Sequence, residues 1–393
     1  MPADYLLCTP RLEDPYPYYR ELRDQDPVHY SAVEDLWVVT RFEDCLDIFS
    51  DWRTWSSERR GNLVNDPPER IGRTLGTTDP PRHTWARQLV NKAFTPRRVA
   101  ELEPVIRHHA GKVAADAAER AEIEYVHDVA APLNAFVLGH LFGLDEVAVL
   151  ELRPALDAFF TREEAKPGSE APHVAAMAKL RSALDGLVEE RKRAPGTDLV
   201  SAMIAAEEEG QRLSHEQVVV TTMTFLTAGF ESVNNLLTNV INVLARAPGV
   251  FREVMAHPEA VPHLVEETMR WDAAAQGFVR SPNTDVELRG KVVPAGAQVL
   301  VHIGSANRDE RQFSDPDRFD LERSAGRHLG LGHSTHFCVG APLGRQLARI
   351  SFEELLRVSD VVEADFQTAE RVRTPNFRGF IHLNVRLRGG VTA

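Results

Sequence analysis

The run from residue 215 to 246 constrains the fold more than any other. Ser214 and Gln217 make a capping-box start just ahead of the apolar stretch VVVTTMTFLTAGF. One helix of about 32 residues at ~1.5 Å each would be roughly 48 Å long, enough to cross a whole domain. Polar residues interrupt it: Glu231, Asn234, Asn235, Asn239 and Asn242 lie between Val218 and Leu244. That makes it a poor membrane span and a good buried helix. In its middle, Ala228 and Gly229 leave a gap on one face. Glu231 and Ser232 set an acid and a hydroxyl among apolar neighbours, which is costly unless they are satisfied or used. A serine there can also bond the carbonyl four residues back and bend the rod. Taken alone, the stretch is a small-residue crossing point with a solvated glutamate.

The rest of the chain reads as mainly helix with a minor β portion. A short helix is expected over 15–25, then two β-rich runs from Pro27 to Phe42. Residues 57–81, rich in Arg, Gly, Asn, Asp and Pro, read as a long irregular loop, and such loops are usually functional. Helical patterns follow over 82–118, 127–162 and 172–192, with a linker at Glu163–Pro172, and another helix over 259–271. Residues 285–303 read as a small sheet, and 376–388 alternate with the period of a strand. Length alone allows two or three domains, but no boundary is clean enough to divide the chain, so 1–393 is expected to be a single domain.

The net charge of −13 argues against nucleic acid as a partner. Cys8, Cys45 and Cys338 form neither a disulfide framework nor a C-x-x-C metal spacing, which fits a reducing cytoplasm. The first residues carry acids and prolines where a signal peptide needs a basic region and an apolar run. The expectation is a cytoplasmic protein with no membrane partner.

Chemistry concentrates at residues 328–342, HLGLGHSTHFCVGAP. Behind this loop Leu343, Leu347 and Ile350 recur at helical spacing, and Pro342 suits a first turn. Cys338 therefore stands at a helix N-terminus, where the macrodipole and free N–H groups favour thiolate. Gly330, Gly332 and Gly340 let the backbone pass close to something large and flat, and His336 adds an anion contact. A thiolate beside room for a planar ligand points to an axial ligand of haem iron. The plain alternative is a small buried cysteine in a tight turn.

The loop resembles the haem-binding segment of the soluble bacterial cytochrome P-450 family. AGFES, Ala228–Ser232, resembles that family's oxygen-binding groove on its central helix. The resemblance runs over residues 14–388, with the motifs in family order. It implies the cytochrome P-450 fold, a long central helix over a haem b held by Cys338. It implies dioxygen beside Ala228 and Gly229, with Glu231 and Ser232 as catalytic proton carriers. D-P-P-x-H-x-x-x-R matches at His83 and Arg87. With Arg280 and His336 these are implied to hold the haem propionates. Gly340 belongs to the cofactor loop. E-x-x-R at Glu267 and Arg270, with Arg318 of DPDRFD, is implied to form a structural ion-pair core. Taken alone, Glu267 and Arg270 are an ordinary surface pair at i,i+3.

Two positions depart from the family pattern. Ser232 stands where threonine is usual, keeping the hydroxyl and losing the methyl that restrains χ1. Leu331 stands where phenylalanine is usual, a smaller shield for the sulfur. By analogy the substrate pocket is walled by the 57–78 loop, Phe159 and Phe160, Thr224–Ala228, Ala273–Phe278 and Phe377–Phe380. Arg59, Arg60 and Arg73 leave room there for an acid group. The expected substrate is a small or medium hydrophobic or aromatic compound. The implied reaction inserts one oxygen atom from O2, giving C–H hydroxylation or oxidative dealkylation. No flavin or nicotinamide fingerprint occurs, so electrons are expected from NAD(P)H through ferredoxin reductase and ferredoxin. Arg82, Arg87, Lys92, Arg97, Arg98, Arg107 and Lys112, against Glu101 and Glu103, form the expected docking face. Two alternatives stand beside this: peroxide-driven oxygenation or oxidative coupling on the same haem, and a non-catalytic recruitment module on the same scaffold.

Overall fold

The expected rod is one helix, His215–Arg246. Its capping box is complete: Gln217 N donates to Ser214 Oγ at 3.2 Å, and Ser214 N donates to Gln217 Oε1 at 2.8 Å. A computed structural model of the chain describes residues 13–59, 72–160, 172–208, 210–323, 328–372, 374 and 376–388, without the side chains of 157–160, 172 and 173.

The rod belongs to two hydrophobic cores. Val219, Met223, Leu226 and Phe230 pack with Ala131–Phe142, Glu146–Phe160 and the start of Ala341–Val358. Leu237, Val240, Ile241 and Leu244 pack with Val261–Trp271, the later turns of Ala341–Val358 and the strand Phe380–Arg388. Each such side chain contributes roughly 1.5–3 kcal/mol by leaving water. The changeover falls at Ala228–Ser232, the turn rich in small and polar residues. Several polar side chains on the rod find hydrogen-bond partners, within the helix or across to other segments. Thr222, Thr224 and Thr227 donate to carbonyls four residues back, and Asn239 Nδ2 donates to the carbonyls of Asp272 and Arg378 at 2.8 and 2.9 Å.

Two expected helices are broken, each for a local reason. The 82–118 pattern divides into Arg82–Ala93, Pro96–Glu101 and Glu103–Arg120. Thr95 caps the second piece by accepting from Arg98 N at 3.2 Å, and Pro96 has no N–H to continue the first. The 127–162 pattern ends its first helix at Phe142, because Gly143 takes φ 73° and turns the chain by 110° into Glu146–Phe160. Pro172–Arg193 and Val261–Trp271 lie where expected. The helix Phe42–Ser50 and the strand Val361–Arg371 were not anticipated.

The β portion is small and peripheral. Val28–Ser31, Leu36–Val39, Val299–Val301, Phe278–Pro282 and Trp55–Ser56 form a five-stranded sheet in that spatial order. Val299–Val301 runs parallel to Leu36–Val39 and antiparallel to Phe278–Pro282. The expected 285–303 sheet is thus divided: Val286–Leu288 and Lys291–Val293 make their own hairpin. Val361–Arg371 and Glu122–Glu124 flank Phe380–Arg388 in a second sheet. Among the described residues no single helix is long and apolar enough to cross a membrane.

Candidate functional site

Cys338 lies just before Ala341–Val358, as the spacing predicts. Its N–H donates to the Leu331 carbonyl at 2.9 Å, and Gly332, at φ 71°, turns the loop so that its own N–H reaches the Leu329 carbonyl at 2.8 Å. Gly330 serves protein packing instead of approach to a flat ligand, since a Cβ there would collide with the Met269 carbonyl. Gly340 has ordinary backbone angles, and a Cβ there would sit 3.9 Å from Cys338 Sγ. What this position offers is its N–H.

The thiol is exposed to solvent yet closely surrounded by protein. Burial raises its pKa, opposed by the N–H of Gly340, by Arg87, by the N–H of Ala341 and by Arg345. The N–H groups at the helix start act as the spacing predicts, and in the chain by itself burial outweighs them. A coordinated metal deprotonates a thiol outright.

Around it gather four basic groups from three segments. His83 is buried, and among the described residues neither ring nitrogen has a hydrogen-bond partner. Burial, then Arg87 and Arg280, push it down to about 4. His336 stands 4.5 Å from His83, ring to ring, and is pushed down to about 2 by burial, then by Arg280, His83 and Arg87. Arg280 is buried, its Nη1 donates to the Val279 carbonyl at 2.8 Å, and burial lowers its pKa to about 10. Arg87 Nη2 reaches the Phe337 carbonyl at 2.8 Å. The expected four therefore do come together.

Asp79 and Ser57 join them unannounced. Ser56 Oγ donates to Asp79 Oδ2 at 2.5 Å, Ser57 N to Asp79 Oδ1 at 3.1 Å, and Ser57 Oγ lies 3.2 Å from His336 Nε2. The aspartate of D-P-P was the available signal.

A haem fits this set. One buried guanidinium, Arg280, one half-buried, Arg87, and two imidazoles, with His83 lacking a hydrogen-bond partner among the described residues, suit a ligand that brings two carboxylates. A cysteine sulfur between backbone N–H groups suits a soft metal.

On the long helix the small pair divides. Ala228 is exposed in the middle of an otherwise buried rod. Gly229 instead faces Leu138 of the crossing helix, where an added Cβ would lie 3.2 Å from Leu138 Cδ2. The expected gap is at Ala228 only, because adjacent helical positions point about 100° apart. Gly229 allows the crossing, which Asn134 Nδ2 secures by donating to the Phe230 carbonyl at 2.9 Å. Ser232 Oγ donates to the Ala228 carbonyl at 2.6 Å. Glu231 Oε1 accepts from Asn235 Nδ2 at 2.9 Å, a partner sequence reasoning missed.

The ion-pair core is buried, but its third member is not Arg318. Glu267 accepts from Arg270 Nε at 2.8 Å and Nη2 at 2.7 Å. The completing guanidinium is Arg323, whose Nε donates to Glu267 Oε1 at 3.1 Å. Arg318 has a side chain 69% exposed, against 12% for Arg323, and lies 3.8 Å from Asp320. The turn at Asp315–Arg318, closed by Arg318 N to the Asp315 carbonyl at 3.0 Å, sends Arg318 outward and offers its carbonyl inward to Arg270. A neighbouring pair escaped notice: Glu266 accepts from Arg345 at 2.8 and 2.6 Å and lies 2.9 Å from His328 Nε2.

Of the expected pocket residues, Phe377 is buried and packs with Ala275, Phe278 and Met177. The side chains of Phe159 and Phe160, with Arg60 and the rest of 60–71, lie outside the described residues. Arg73 Nη1 is 3.9 Å from Glu216. The basic face is mostly neutralised from elsewhere in the chain. Arg82 pairs with Glu58, Lys92 with Glu208, Arg97 with Glu101, and Arg107 with Glu103, Glu353 and Glu354.

Comparisons agree with this geometry. The family described as Cytochrome P450 matches residues 152–369. A putative cytochrome P450 123 of Mycobacterium tuberculosis is 35% identical over 96% of this chain and 94% of that protein. The structure of CYP109Q5 from Chondromyces apiculatus superposes with a TM-score of 0.88 at 30% identity, covering 98% of both chains. CYP109E1 from Bacillus megaterium, solved in complex with testosterone, gives a TM-score of 0.88 at 27% identity over 97% of this chain and 99% of that one.

Proposed function

The chain belongs to the cytochrome P450 family and is a haem-b monooxygenase, and from that premise we propose how its residues divide the work. Cys338 is the thiolate ligand. His83, Arg87, Arg280 and His336 hold the propionates, and Asp79 with Ser57 orients His336. When bound, haem supplies an iron at which dioxygen is reduced, so that one oxygen atom enters a C–H bond.

The chain's own part is to hold substrate, exclude water and deliver protons. Glu231 holds a proton at its carboxylate and exchanges it with Ser232 Oγ. That hydroxyl now donates to the Ala228 carbonyl, so passing a proton toward the cavity means turning away from it. Serine turns more freely than threonine, having no γ-methyl. Ala228 leaves the space, while Phe278, Ala275 and Phe377 give the pocket an apolar wall. A hydrophobic substrate follows, consistent with the testosterone held by the Bacillus megaterium relative. Electrons come from NAD(P)H through a ferredoxin reductase and ferredoxin. Since Arg82, Lys92, Arg97 and Arg107 already have acid partners, steering falls to Arg98 and Lys112.

One observation carries this reading: an exposed cysteine at a helix start beside buried and half-buried basic groups, of which His83 lacks a hydrogen-bond partner among the described residues. The test is the ferrous carbonyl spectrum of purified protein and of Cys338→His. The parent is expected to absorb as a thiolate-ligated haem and the variant as a histidine-ligated one. A globin-like band from the parent refutes the assignment.

A further inference from the structure

The polar stripe of the long helix continues beyond Glu231, and its next member is set from outside the helix. Asn235 is buried one turn on, and its Nδ2 donates to Glu231 Oε1 at 2.9 Å. Its other side lies against Gly379. A Cβ built at Gly379 would come within 2.6 Å of Asn235 Cγ and 2.7 Å of its Cα. The second contact is to backbone, so no rotamer of Asn235 relieves it. Glycine is required here by the close approach of two chains.

That approach is stitched on both sides. Phe380 N donates to Thr238 Oγ1 at 3.2 Å, and Asn239 Nδ2 donates to the Arg378 carbonyl at 2.9 Å. Thr238 Oγ1 in turn donates to the Asn235 carbonyl at 3.0 Å. Two residues before Gly379, Phe377 packs with Ala275 and Phe278, the residues proposed above as the apolar wall. One short stretch, 377–380, thus ties the pocket wall to the amide that grips the acid.

We propose that Asn235 is the positioning residue of Glu231, seated by the backbone at Gly379. This rests on the reading of Glu231 as a proton carrier. A glutamate on a helix has three rotatable bonds, and proton transfer demands one arrangement of its carboxylate. An amide N–H can donate to Oε1 whether or not the acid carries its proton, and the bond is about twice as strong when the proton has left. A donor one turn away, itself unable to move, holds that arrangement without touching substrate.

The test uses the holoenzyme with NADPH and a surrogate ferredoxin pair, comparing Asn235→Ala, Asn235→Leu, Gly379→Ala and Glu231→Gln. NADPH oxidation is expected to slow at least about fivefold in both Asn235→Ala and Glu231→Gln, with a larger solvent isotope effect. Asn235→Leu keeps the approximate shape and removes the amide donor without adding a charge, so it is expected to follow Asn235→Ala. If Asn235 only fills space, Leu behaves like the parent and the proposal falls. Crystal structures of Asn235→Ala and Gly379→Ala are expected to show the Glu231 carboxylate displaced. An unmoved carboxylate overturns the proposal independently of turnover. Should Gly379→Ala fail to fold, the two Asn235 variants decide. A slow Glu231→Gln beside a parental Asn235→Ala refutes this inference and leaves the function intact. A parental Glu231→Gln refutes the proton-carrier reading itself.

Discussion

Replacing Arg323 by alanine should destabilise the segment leading to the cysteine loop, whereas replacing Arg318 should not. Arg323 makes four donations: Nε to Glu267 at 3.1 Å, Nη1 to the Ser314 carbonyl at 2.8 Å, and Nη2 to the Asp315 and Arg318 carbonyls at 3.1 and 3.3 Å. Its loss does not orphan Glu267, which keeps Arg270 at 2.7 Å and Asp320 N at 3.2 Å. The cost therefore stays below the 3–5 kcal/mol of a broken buried pair and nearer one or two charge-assisted bonds, about 2–3 kcal/mol. The effect should reach the site. Arg270 Nη1 holds the carbonyls of Asn307 and Pro316, both at 2.9 Å, and Asn307 Oδ1 accepts from Leu329 N at 2.7 Å, at the start of the cysteine loop. Arg318→Ala removes an exposed side chain and should change stability by less than about 0.5 kcal/mol. Urea unfolding of the holoenzyme, followed in parallel by circular dichroism and the Soret band, measures both. Equal losses in the two variants, or a larger one for Arg318→Ala, would sink the assignment.

Three further outcomes are expected. Arg280→Leu removes a buried cation, so the haem-free chain should become more stable by urea unfolding while the loaded protein releases haem at least about tenfold faster to an apoglobin acceptor; loss of stability in the haem-free chain would contradict the burial argument. Gly229→Ala should cost about 1 kcal/mol through its 3.2 Å approach to Leu138, and Leu138→Ala should lose less in that background than in the parent, as a thermal double-mutant cycle would measure. Glu266 is held down to about 2, against burial, by Arg345 and His328. Its folded pKa lies below its ordinary 4.5, so its contribution is present above pH 4.5 and is lost as pH falls toward 2. Glu266→Gln should flatten the stability–pH curve in that window, and an unchanged acid limb would remove Glu266 from the account.

How much of this was legible depended on whether the signal was local. The capping box at Ser214 and Gln217 and the spacing of Leu343, Leu347 and Ile350 act within a few residues, so the long helix and the cysteine position could be read directly. His83 and Arg87 share a helix face by spacing alone. Arg318 failed as a reading because motif position places a residue on the chain, while the turn at Asp315 decides which way its side chain points. The charge balance of the basic face was hidden for a similar reason: the acids nearest in sequence were counted, but Glu58, Glu208, Glu353 and Glu354 arrive from distant segments. Gly229 looked like half of a ligand gap and is a helix crossing, which only the position of Leu138 reveals.

By itself the sequence determined the elements whose causes lie within one or two turns: the buried rod, the thiol at a helix start, and the residue types able to grip a dianion. Tertiary structure alone decided which charges meet, which glycine faces open space and which amide grips Glu231. Side-chain contacts across hundreds of residues depend on how helices cross and turns close, and single-chain periodicity carries no record of that.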